Sequence, residues 1–503
     1  MTEQMWHIIA FAIYFLVVLA IGFVFFFRSK GGGEKEYFLG GRSMGPWVTA
    51  LSAQASDMSA WLLMGLPGAI MAFGFGEVWI GICLALGTAA NWILTAKRLR
   101  RFSKAAGDSI TLPQYLSNRF GGGKNALQII CAIIFLVCFT VYVASAFVAG
   151  TKVFVTVFPE LDKTLAMVIF AAIILVYTFL GGFKAVCWTD FFQGFLMLGA
   201  LLAIPIIAII MGDGEAAALT ETFKGASGTE YTFVGSLFKS DWKDIASGLA
   251  WGLGYFGMPH ILVRFMSIRK AKEVNAAATI AIIWVVLALG AVVVMAILGR
   301  MIMGEALLGA DAQELIFLKL ADKYFHPLLA GLLMSAVIAA SMSTADSQLL
   351  VASSSFTSDI YKPVIRKNAK DKEVMWMGRI VVVIVAIVAF FIANSEGEGA
   401  AAIMDLVSNA WAGFGSAFGP VVILSLFWKR FNYAGALAGV IGGAIVDVVW
   451  LFSGLSATTG IYELIPGFIA GALFAVTATL LTKKPSAEIE AIYETATNPE
   501  LED

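Results

Sequence analysis

The sequence predicts an all-α polytopic membrane protein with thirteen transmembrane helices. Of its 503 residues, 59% are hydrophobic and only 14% are charged, and the mean hydropathy is +0.85. Soluble globular domains have about 45–50% apolar and about 25% charged residues. The composition therefore indicates membrane lipid as the surroundings of the chain, and it argues against a soluble enzyme, a single-span receptor or a nucleic-acid-binding protein.

Long apolar segments alternate with polar loops along the whole chain. A membrane-spanning helix needs about 20 apolar residues. The first segment is expected to be a retained helix rather than a cleaved signal, because its basic residues follow it. The predicted segments are 6–27, 47–73, 77–96, 126–150, 163–181, 188–211, 244–263, 276–303, 327–361, 374–394, 400–427, 433–453 and 461–482.

Basic residues are distributed unequally between the two sets of loops. Of the 34 Lys and Arg, 26 follow odd-numbered segments and eight follow even-numbered ones. Cytoplasmic loops are enriched in Lys and Arg. The N-terminus is therefore expected outside and the C-terminus inside. The outer loops 213–243 and 304–326 are expected to contain amphipathic helices, and the acidic tail after Lys484 is too small for an effector domain.

The second segment contains an unusual group of polar residues. A carboxylate inside a membrane segment costs about 2.5–3.5 kcal/mol on insertion scales, so it usually marks a water-filled or functional site. The alternative is an Asp that caps a kink. The polar residues are Ser52, Gln54, Ser56, Asp57 and Ser59, and the helix-weakening Gly65, Pro67 and Gly68 follow them.

The seventh segment is predicted to be broken. Gly252, Gly254, Gly257 and Pro259 fall within eight residues of one another. Glycine costs about 1 kcal/mol and proline about 3 kcal/mol in a helix interior. Broken backbone is tolerated in a membrane where it faces protein or a water-filled cavity. The alternative is a glycine-lined helix contact, with Trp251, Tyr255 and Phe256 as core packing.

The two interrupted segments are five apart and run in opposite directions. This spacing predicts two inverted five-helix repeats, each beginning with a broken helix. The repeats are expected at 47–211 and 244–427. The other predicted parts are a first helix with its loop (1–46), an extracellular loop (212–243), two C-terminal helices (428–482) and a cytoplasmic tail (483–503).

The ninth segment carries hydroxyl and acidic residues near its centre. Small hydroxyl residues often serve helix packing in membranes. We favour a cation-related role, because the cluster also contains a carboxylate. Its members are Ser341, Ser343, Thr344, Asp346, Ser347 and Gln348. Asp190, near the start of the sixth segment, fits an interfacial charge or helix cap as well as a functional group.

The four cysteines give no sign of a disulfide or metal site. Cys83, Cys131, Cys138 and Cys187 lie in or beside apolar segments, outside any paired motif,. Free thiols in such helices behave as small hydrophobic groups. The sequence also lacks an Asn-x-Ser/Thr sequon, which favours a bacterial or archaeal cell membrane.

Several motifs together resemble the sodium/solute symporter family, and within it the members that carry L-proline. They are YFLGGRSMGPWVTALSAQASDMSAWLLMGLPGA, WGLGYFGMPHILVRFM, SAVIAASMSTADSQLL and LVSNAWAGFGSAFGPVV. The resemblance covers nearly the whole chain. It implies thirteen helices around an inverted-repeat core, and uptake of L-proline driven by Na⁺ as the coupling ion.

The resemblance also implies roles for individual residues. Ala60, Met258 and Asp346 differ from the pattern of the proline-carrying members, which affects fine selectivity. The implied sodium-binding residues are Ala55, Asp57, Met58, Ala340, Ser343 and Thr344. The implied substrate-binding residues are Ser59, Trp61, Tyr142, Trp251, Tyr255 and Pro259, and Arg42 and Asp190 match functional positions outside the central site.

Two alternatives to a sodium-coupled proline importer stay open at this point. One is a family member for another solute, such as a sugar, sialic acid or pantothenate. The other is a substrate-gated channel or a membrane sensor; the short tail counts against a sensor, and two broken helices count against a simple pore. A membrane-embedded hydrolase is disfavoured, because His7, His260 and His326 stand in no metal or triad motif.

Overall fold

A computed structural model describes residues 2–28, 33–121, 125–180, 182–395 and 402–498, which are mostly helical. The ends of two predicted segments, 181 and 400–401, lie outside the described residues, as do Lys30 and Lys124. The α-helices in order are α1 Glu3–Arg28, α2 Glu34–Leu39, α3 Pro46–Asp57, α4 Leu66–Phe73, α5 Phe75–Ala90, α6 Lys97–Ala105, α7 Leu112–Arg119, α8 Ala126–Val157, α9 Lys163–Leu180, α10 Phe183–Met211, α11 Trp242–Gly254, α12 Pro259–Ser267, α13 Val274–Gly309, α14 Ile316–Tyr324, α15 Pro327–Phe356, α16 Asp371–Ser395, α17 Ala402–Phe427, α18 Tyr433–Phe452, α19 Leu455–Thr459, α20 Leu464–Leu481 and α21 Ala487–Thr497.

Shorter elements connect these helices. Three π-helical turns continue an α-helix or begin one, and they are Trp61–Gly65, Asn91–Ala96 and Thr357–Ile365. The 3₁₀ turns are Gly40–Arg42, Ala216–Leu219, Leu237–Lys239, Tyr255–Gly257, Ala271–Glu273 and Gln313–Leu315. Strands β1 (Phe223–Lys224) and β2 (Glu230–Tyr231) pair antiparallel, with Phe223 opposite Tyr231.

Within the described ranges, ten helices are long and apolar enough to cross a membrane. One of them is continuous from α5 through the π turn to α6. The other three predicted segments are shorter or interrupted: the second is α3 and α4, the fifth is α9, and the seventh is α11 and α12. A multi-pass helical membrane protein is therefore confirmed, whereas thirteen crossings stay a prediction.

The two outer loops differ from each other. The region 304–326 contains the helix α14, as expected, and its apolar face is buried. The region 213–243 instead forms 3₁₀ turns and the β1–β2 hairpin, so the expectation of a helix there is wrong. Arg300 of α13 holds this loop by donating hydrogen bonds to the carbonyls of Ala218 (2.9 Å) and Tyr231 (3.1 Å).

The C-terminal tail is more ordered than its polar composition suggests. It forms α21, which packs against α6. Lys429 pairs with Glu494 at 2.8 Å and with Glu490 at 3.3 Å, and the Tyr493 hydroxyl donates to the Phe427 carbonyl at 3.2 Å. The tail therefore has its own helix and a defined docking surface.

Two helices form the interior of the molecule. In the apolar windows of the α15 and α17 spans, 83% of the residues are buried, compared with 28% for α1. The helix α15 packs against α1, α8 and α10, and α17 packs against α8, α18 and α20. The polar residues of α15 therefore face protein on all sides rather than lipid.

The first helix break lies just after Asp57. The helix α3 ends there, Met58 leaves helical geometry with φ −80° and ψ 70°, and the π turn begins at Trp61. Gly65 closes that π turn, and Pro67 is the second residue of α4. The glycines and proline of this segment are therefore helical, and the interruption precedes them.

The second break is where the glycines predict it. The helix α11 ends at Gly254, a 3₁₀ turn covers Tyr255–Gly257, and Met258 is extended before α12. Gly252, however, lies inside α11 and packs against α5, since a Cβ there would be 2.4 Å from the Cys83 carbonyl oxygen. The predicted break and the alternative of a glycine-lined contact thus both occur in this segment.

Candidate ion and solute site

Backbone and hydroxyl oxygens meet where the end of α3 crosses the centre of α15. The Ser343 hydroxyl donates to the Ala55 carbonyl at 2.7 Å and contacts the Ala340 carbonyl at 3.1 Å. Thr344 is fully buried, and its hydroxyl oxygen has no hydrogen-bond partner in the described part of the chain. Met58, at the break, follows Ala55 by three residues. The structure thus brings Ala55, Ala340 and Ser343 into contact, and Thr344 is the residue that follows Ser343 in α15.

This arrangement suits a small hard cation. Such ions prefer oxygen ligands, and unpaired polar groups are rare in protein interiors. Among the described residues, no group of three or more His, Cys, Asp or Glu side chains could hold a metal ion. A cation bound here would therefore depend on carbonyl and hydroxyl oxygens.

Asp57 connects this oxygen cluster with the second break. Its Oδ2 accepts a hydrogen bond from the Tyr255 hydroxyl at 2.6 Å, while Oδ1 has no partner in the described structure. Its backbone carbonyl accepts from Trp61 Nε1 at 3.2 Å. The side chain is completely buried. Asp57 therefore couples the two interrupted helices directly.

Aromatic rings line the other side of Tyr255. Trp251 stacks on Tyr462 with ring centroids 5.5 Å apart, and it lies 6.3 Å from Trp61. The Tyr255 ring meets Trp411 edge-on at 5.1 Å, and Trp411 Nε1 donates to the Trp251 carbonyl at 3.0 Å. These five rings form an aromatic cluster around the second break.

The predicted substrate residues Ser59, Tyr142 and Pro259 adjoin this cluster. The Tyr142 hydroxyl lies near Ser59 and Trp61 and has no hydrogen-bond partner in the described ranges. Pro259 starts α12, a position that its fixed φ favours. The ring of His260 packs edge-on against Tyr142 at 6.2 Å. The site is therefore apolar on most sides, with few polar groups.

Asp190 belongs to a second polar cluster, which lies next to the oxygen cluster toward the predicted cytoplasmic side. Arg264 donates to Asp190 Oδ2 at 2.9 Å and to the hydroxyls of Ser52 at 2.8 Å and Ser347 at 2.5 Å. Ser347 in turn contacts Asp346 at 3.3 Å. Asp190 is therefore a fully buried member of an ion pair rather than an exposed charge.

Arg42 anchors the loops on the predicted cytoplasmic side. It donates to Asp108 at 2.8 Å, to the Ser103 hydroxyl at 3.1 Å and to the Ser109 carbonyl at 2.9 Å. Partial burial acts to raise the pKa of Asp108, but the hydrogen bonds and charges of Lys35 and Arg42 bring it below its ordinary value. Arg42 thus connects the first loop with α6 and the following turn, away from the oxygen cluster.

Sequence reasoning missed three residues of this region. Arg264 was counted as a loop charge, although it lies in α12 with 1% of its surface exposed; a basic residue directly following an apolar run was the available signal. Trp411 lies in the motif LVSNAWAGFGSAFGPVV, which the resemblance already included. Tyr462 has no local signal, because its role depends on how α20 packs.

Two interrupted membrane helices around a buried polar and aromatic site define a secondary transporter fold. A solved Na⁺-coupled sialic acid symporter is similar in structure, with a TM-score of 0.73 and 18% sequence identity over 96% of this chain and 99% of that one. The family model described as "Sodium:solute symporter family" matches residues 37–443. The chain belongs to this family.

Curated bacterial relatives match over nearly the full length. The osmoregulated proline transporter OpuE of Bacillus subtilis is 40% identical, with 95% of each chain covered. Sodium/proline symporter 2 of Staphylococcus saprophyticus is 43% identical, over 94% of this chain and 93% of the relative. These relatives support the assignment to a bacterial multi-pass membrane protein.

Proposed function

We propose that this protein takes up L-proline together with sodium across the bacterial cell membrane by alternating access. The full-length similarity to relatives named as proline transporters supports the substrate, and family membership supports sodium coupling. The observation that carries the mechanism is the hydrogen bond from Tyr255 to Asp57. It joins the aromatic cluster to the oxygen cluster in one buried site.

Proline is a compact zwitterion with an apolar ring, and the aromatic cluster matches this chemistry. Broken helices present unpaired backbone groups, and the partial positive charge of a helix N-terminus favours a carboxylate. The N-terminus of α12, beginning at Pro259, is one such end. The rings of Trp251, Tyr255 and Tyr142 would pack against the pyrrolidine ring, with Ser59 and Trp61 completing the cavity.

Sodium would bind the carbonyls of Ala55, Met58 and Ala340 and the hydroxyls of Ser343 and Thr344. Asp57 would supply negative charge beside them without being required as a direct ligand. Because Asp57 also binds Tyr255, occupancy on one side would favour the geometry of the other. Such coupling is reciprocal: sodium raises proline affinity, and proline raises sodium affinity.

Thirteen crossings, with the N-terminus outside and the C-terminus inside, remain part of this proposal. The alternating loop charges support the orientation. The inverted repeats at 47–211 and 244–427 are supported by the positions of the two breaks, near the start of each repeat. The first helix and the last two would flank this core.

The direct test is uptake of radiolabelled proline into proteoliposomes. We expect accumulation with an inward sodium gradient and little uptake when potassium replaces sodium. Excess glucose, sialic acid or pantothenate should leave proline uptake intact. If one of these abolishes it and is itself carried faster, the proline assignment is wrong, and sodium-independent uptake would contradict the coupling.

A further inference from the structure

A line of unsatisfied polar side chains continues along α15 beyond the oxygen cluster. Thr344, Gln348, Ser355 and Asp359 are spaced by four, seven and four residues, which places them near one helical face. Each is completely buried, and each has a side-chain oxygen without a hydrogen-bond partner in the described ranges. Buried polar groups are normally satisfied, so this repeated exception calls for a ligand or water.

The line leads from the middle of the membrane to its predicted inner surface. Fifteen residues separate Thr344 from Asp359, or about 22 Å at 1.5 Å per residue. Between Gln348 and Ser355, the intervening turn of this face holds the apolar Val351 and Ala352, both of which are buried. This apolar turn separates Thr344 and Gln348 from Ser355 and Asp359, as expected for an ion route that is closed in this conformation.

Asp359 ends the line in the π turn Thr357–Ile365. Its Oδ1 accepts hydrogen bonds from the Thr111 hydroxyl at 2.8 Å and from Gln128 Nε2 at 2.7 Å. Both donors are neutral, and Oδ2 has no partner in the described structure. π-Helical turns are often found at functional sites. A buried carboxylate without a cationic partner is costly, so a cation would stabilise it.

A polar cavity of about 680 Å³ lies next to this carboxylate. Gln128 lines the cavity and also donates to Asp359, so it separates the two. The carboxylates that line the cavity already have basic partners: Glu34 and Asp371 pair with Lys362, and Asp108 pairs with Lys35. Among the described residues, Asp359 is therefore the carboxylate beside this cavity that has no basic partner and could attract a free cation.

We propose that Asp359 is a transient sodium site on the exit route to the cytoplasm. Sodium would leave Thr344, pass Gln348 and Ser355, and reach the cavity when Gln128 turns away from the carboxylate. This proposal rests on the proposed sodium–proline symport and its orientation. It assigns Asp359 to the release of the ion and leaves the outer entry of the ion unaffected.

The test compares sodium titrations from the two sides of the membrane. In right-side-out vesicles, proline uptake by Asp359→Asn should keep the wild-type half-saturating sodium concentration. In inside-out vesicles, the half-saturating concentration should rise about tenfold, which corresponds to the loss of one charged contact. Net uptake should slow, whereas proline exchange at saturating sodium on both sides should proceed normally, because exchange needs no sodium release.

The controls separate this proposal from the proposed function. If wild-type vesicles show no sodium-driven uptake, the proposed function fails. If wild-type uptake is normal and the sodium titrations of Asp359→Asn equal those of the wild type on both sides of the membrane, only the exit site is overturned. Asp371→Asn removes a carboxylate that lines the same cavity and should leave both titrations unchanged. An equal shift in Asp371→Asn, or an equal shift on both sides in Asp359→Asn, would also overturn the proposal. Asp359→Glu should restore much of the inner-side affinity, and failure to do so while proline exchange stays normal would overturn the proposal.

Discussion

The two helix breaks reach similar geometry by different means. The second break is determined by its local sequence. Gly254 and Gly257 allow contacts that a side chain would prevent, and Pro259 starts the next helix. The first break contains no glycine or proline between Asp57 and Trp61. It is held instead by side chains from its own turn and from the second break, including Trp61 Nε1 on the Asp57 carbonyl and Tyr255 on its carboxylate.

This difference indicates a division of roles. A break that depends on glycines is fixed mainly by close packing, so its position along the helix does not depend on charge. A break held by a carboxylate and hydrogen bonds responds to charge, since a nearby cation changes the balance of those contacts. We therefore expect charge-removing changes to act through the first break and volume changes to act through the second.

The largest effect is expected from Asp57→Asn. This change keeps the size of the side chain and removes its charge beside the proposed cation. Interactions between buried charges amount to several kcal/mol. The half-saturating sodium concentration for proline uptake should rise about a hundredfold or more, at about tenfold per 1.4 kcal/mol. A sodium titration of uptake in proteoliposomes measures it.

Asp447→Asn is the matched control, because Asp447 is also a buried carboxylate of a membrane helix but contacts Ser416 instead. Its sodium dependence should equal that of the wild type. Apparent proline affinity of Asp57→Asn should fall at low sodium and partly recover at high sodium, as reciprocal linkage requires. If the sodium dependence of Asp57→Asn equals that of the wild type, the charge of Asp57 does not determine how the first break responds to sodium.

Glycine substitutions test whether packing alone fixes the second break. A Cβ at Gly254 would lie 2.0 Å from Trp411 Nε1, whereas one at Gly65 would meet nothing closer than 3.5 Å. Overpacking costs about 1–3 kcal/mol. Gly254→Ala should therefore lower the thermal unfolding midpoint of the purified protein, while Gly65→Ala and Gly290→Ala should not. Equal midpoints for Gly254→Ala and Gly65→Ala would show that the two breaks do not differ in this way.

The sequence predicted the second break at the residue level because its cause is local. It predicted that the second segment is interrupted, but Gly65 and Pro67 pointed past the actual position, since that break depends on contacts with Trp61 and Tyr255. The resemblance implies a shared sodium site for Ser343, Ala340 and Ala55; the three are in contact in the structure, and their role in binding sodium stays a prediction. Arg264 and Tyr462 could not be assigned, because their partners lie on distant helices.

Trp251→Ala should separate the aromatic side of the site from the ionic side. The ring stacks on Tyr462 and lies beside Trp61, and its removal deletes apolar contact area from the proposed proline cavity. We expect about tenfold weaker proline binding, or about 1.4 kcal/mol, with sodium binding in the absence of proline unchanged. Calorimetry at saturating sodium measures the first quantity, and Trp376→Ala, at a half-exposed tryptophan, is the control. Wild-type proline affinity in Trp251→Ala would assign this ring to packing alone.

The smallest effects are expected when the hydroxyl of Ser343 or Thr344 is removed. Each change should raise the half-saturating sodium concentration about fivefold, which corresponds to somewhat under about 1.4 kcal/mol per lost ligand. Thr344→Ala removes an oxygen that has no hydrogen-bond partner in the described structure, so it should raise the half-saturating sodium concentration without lowering stability. Ser343→Ala also leaves the carbonyl of Ala55 without its hydroxyl donor. It should therefore raise the sodium requirement and lower the unfolding midpoint as well.

Thr344→Ser keeps the hydroxyl and loses only a methyl group, which makes it the control for the cation contact at α15. Its sodium titration should follow the wild type, while Thr344→Ala should shift. Both variants remove the same methyl group, and they differ only in the hydroxyl oxygen that is proposed as a sodium ligand. Equal shifts for Thr344→Ser and Thr344→Ala would trace the effect to packing. Unchanged sodium dependence in both Ser343→Ala and Thr344→Ala, at normal expression, would falsify the proposed sodium site and leave the first break as a structural kink.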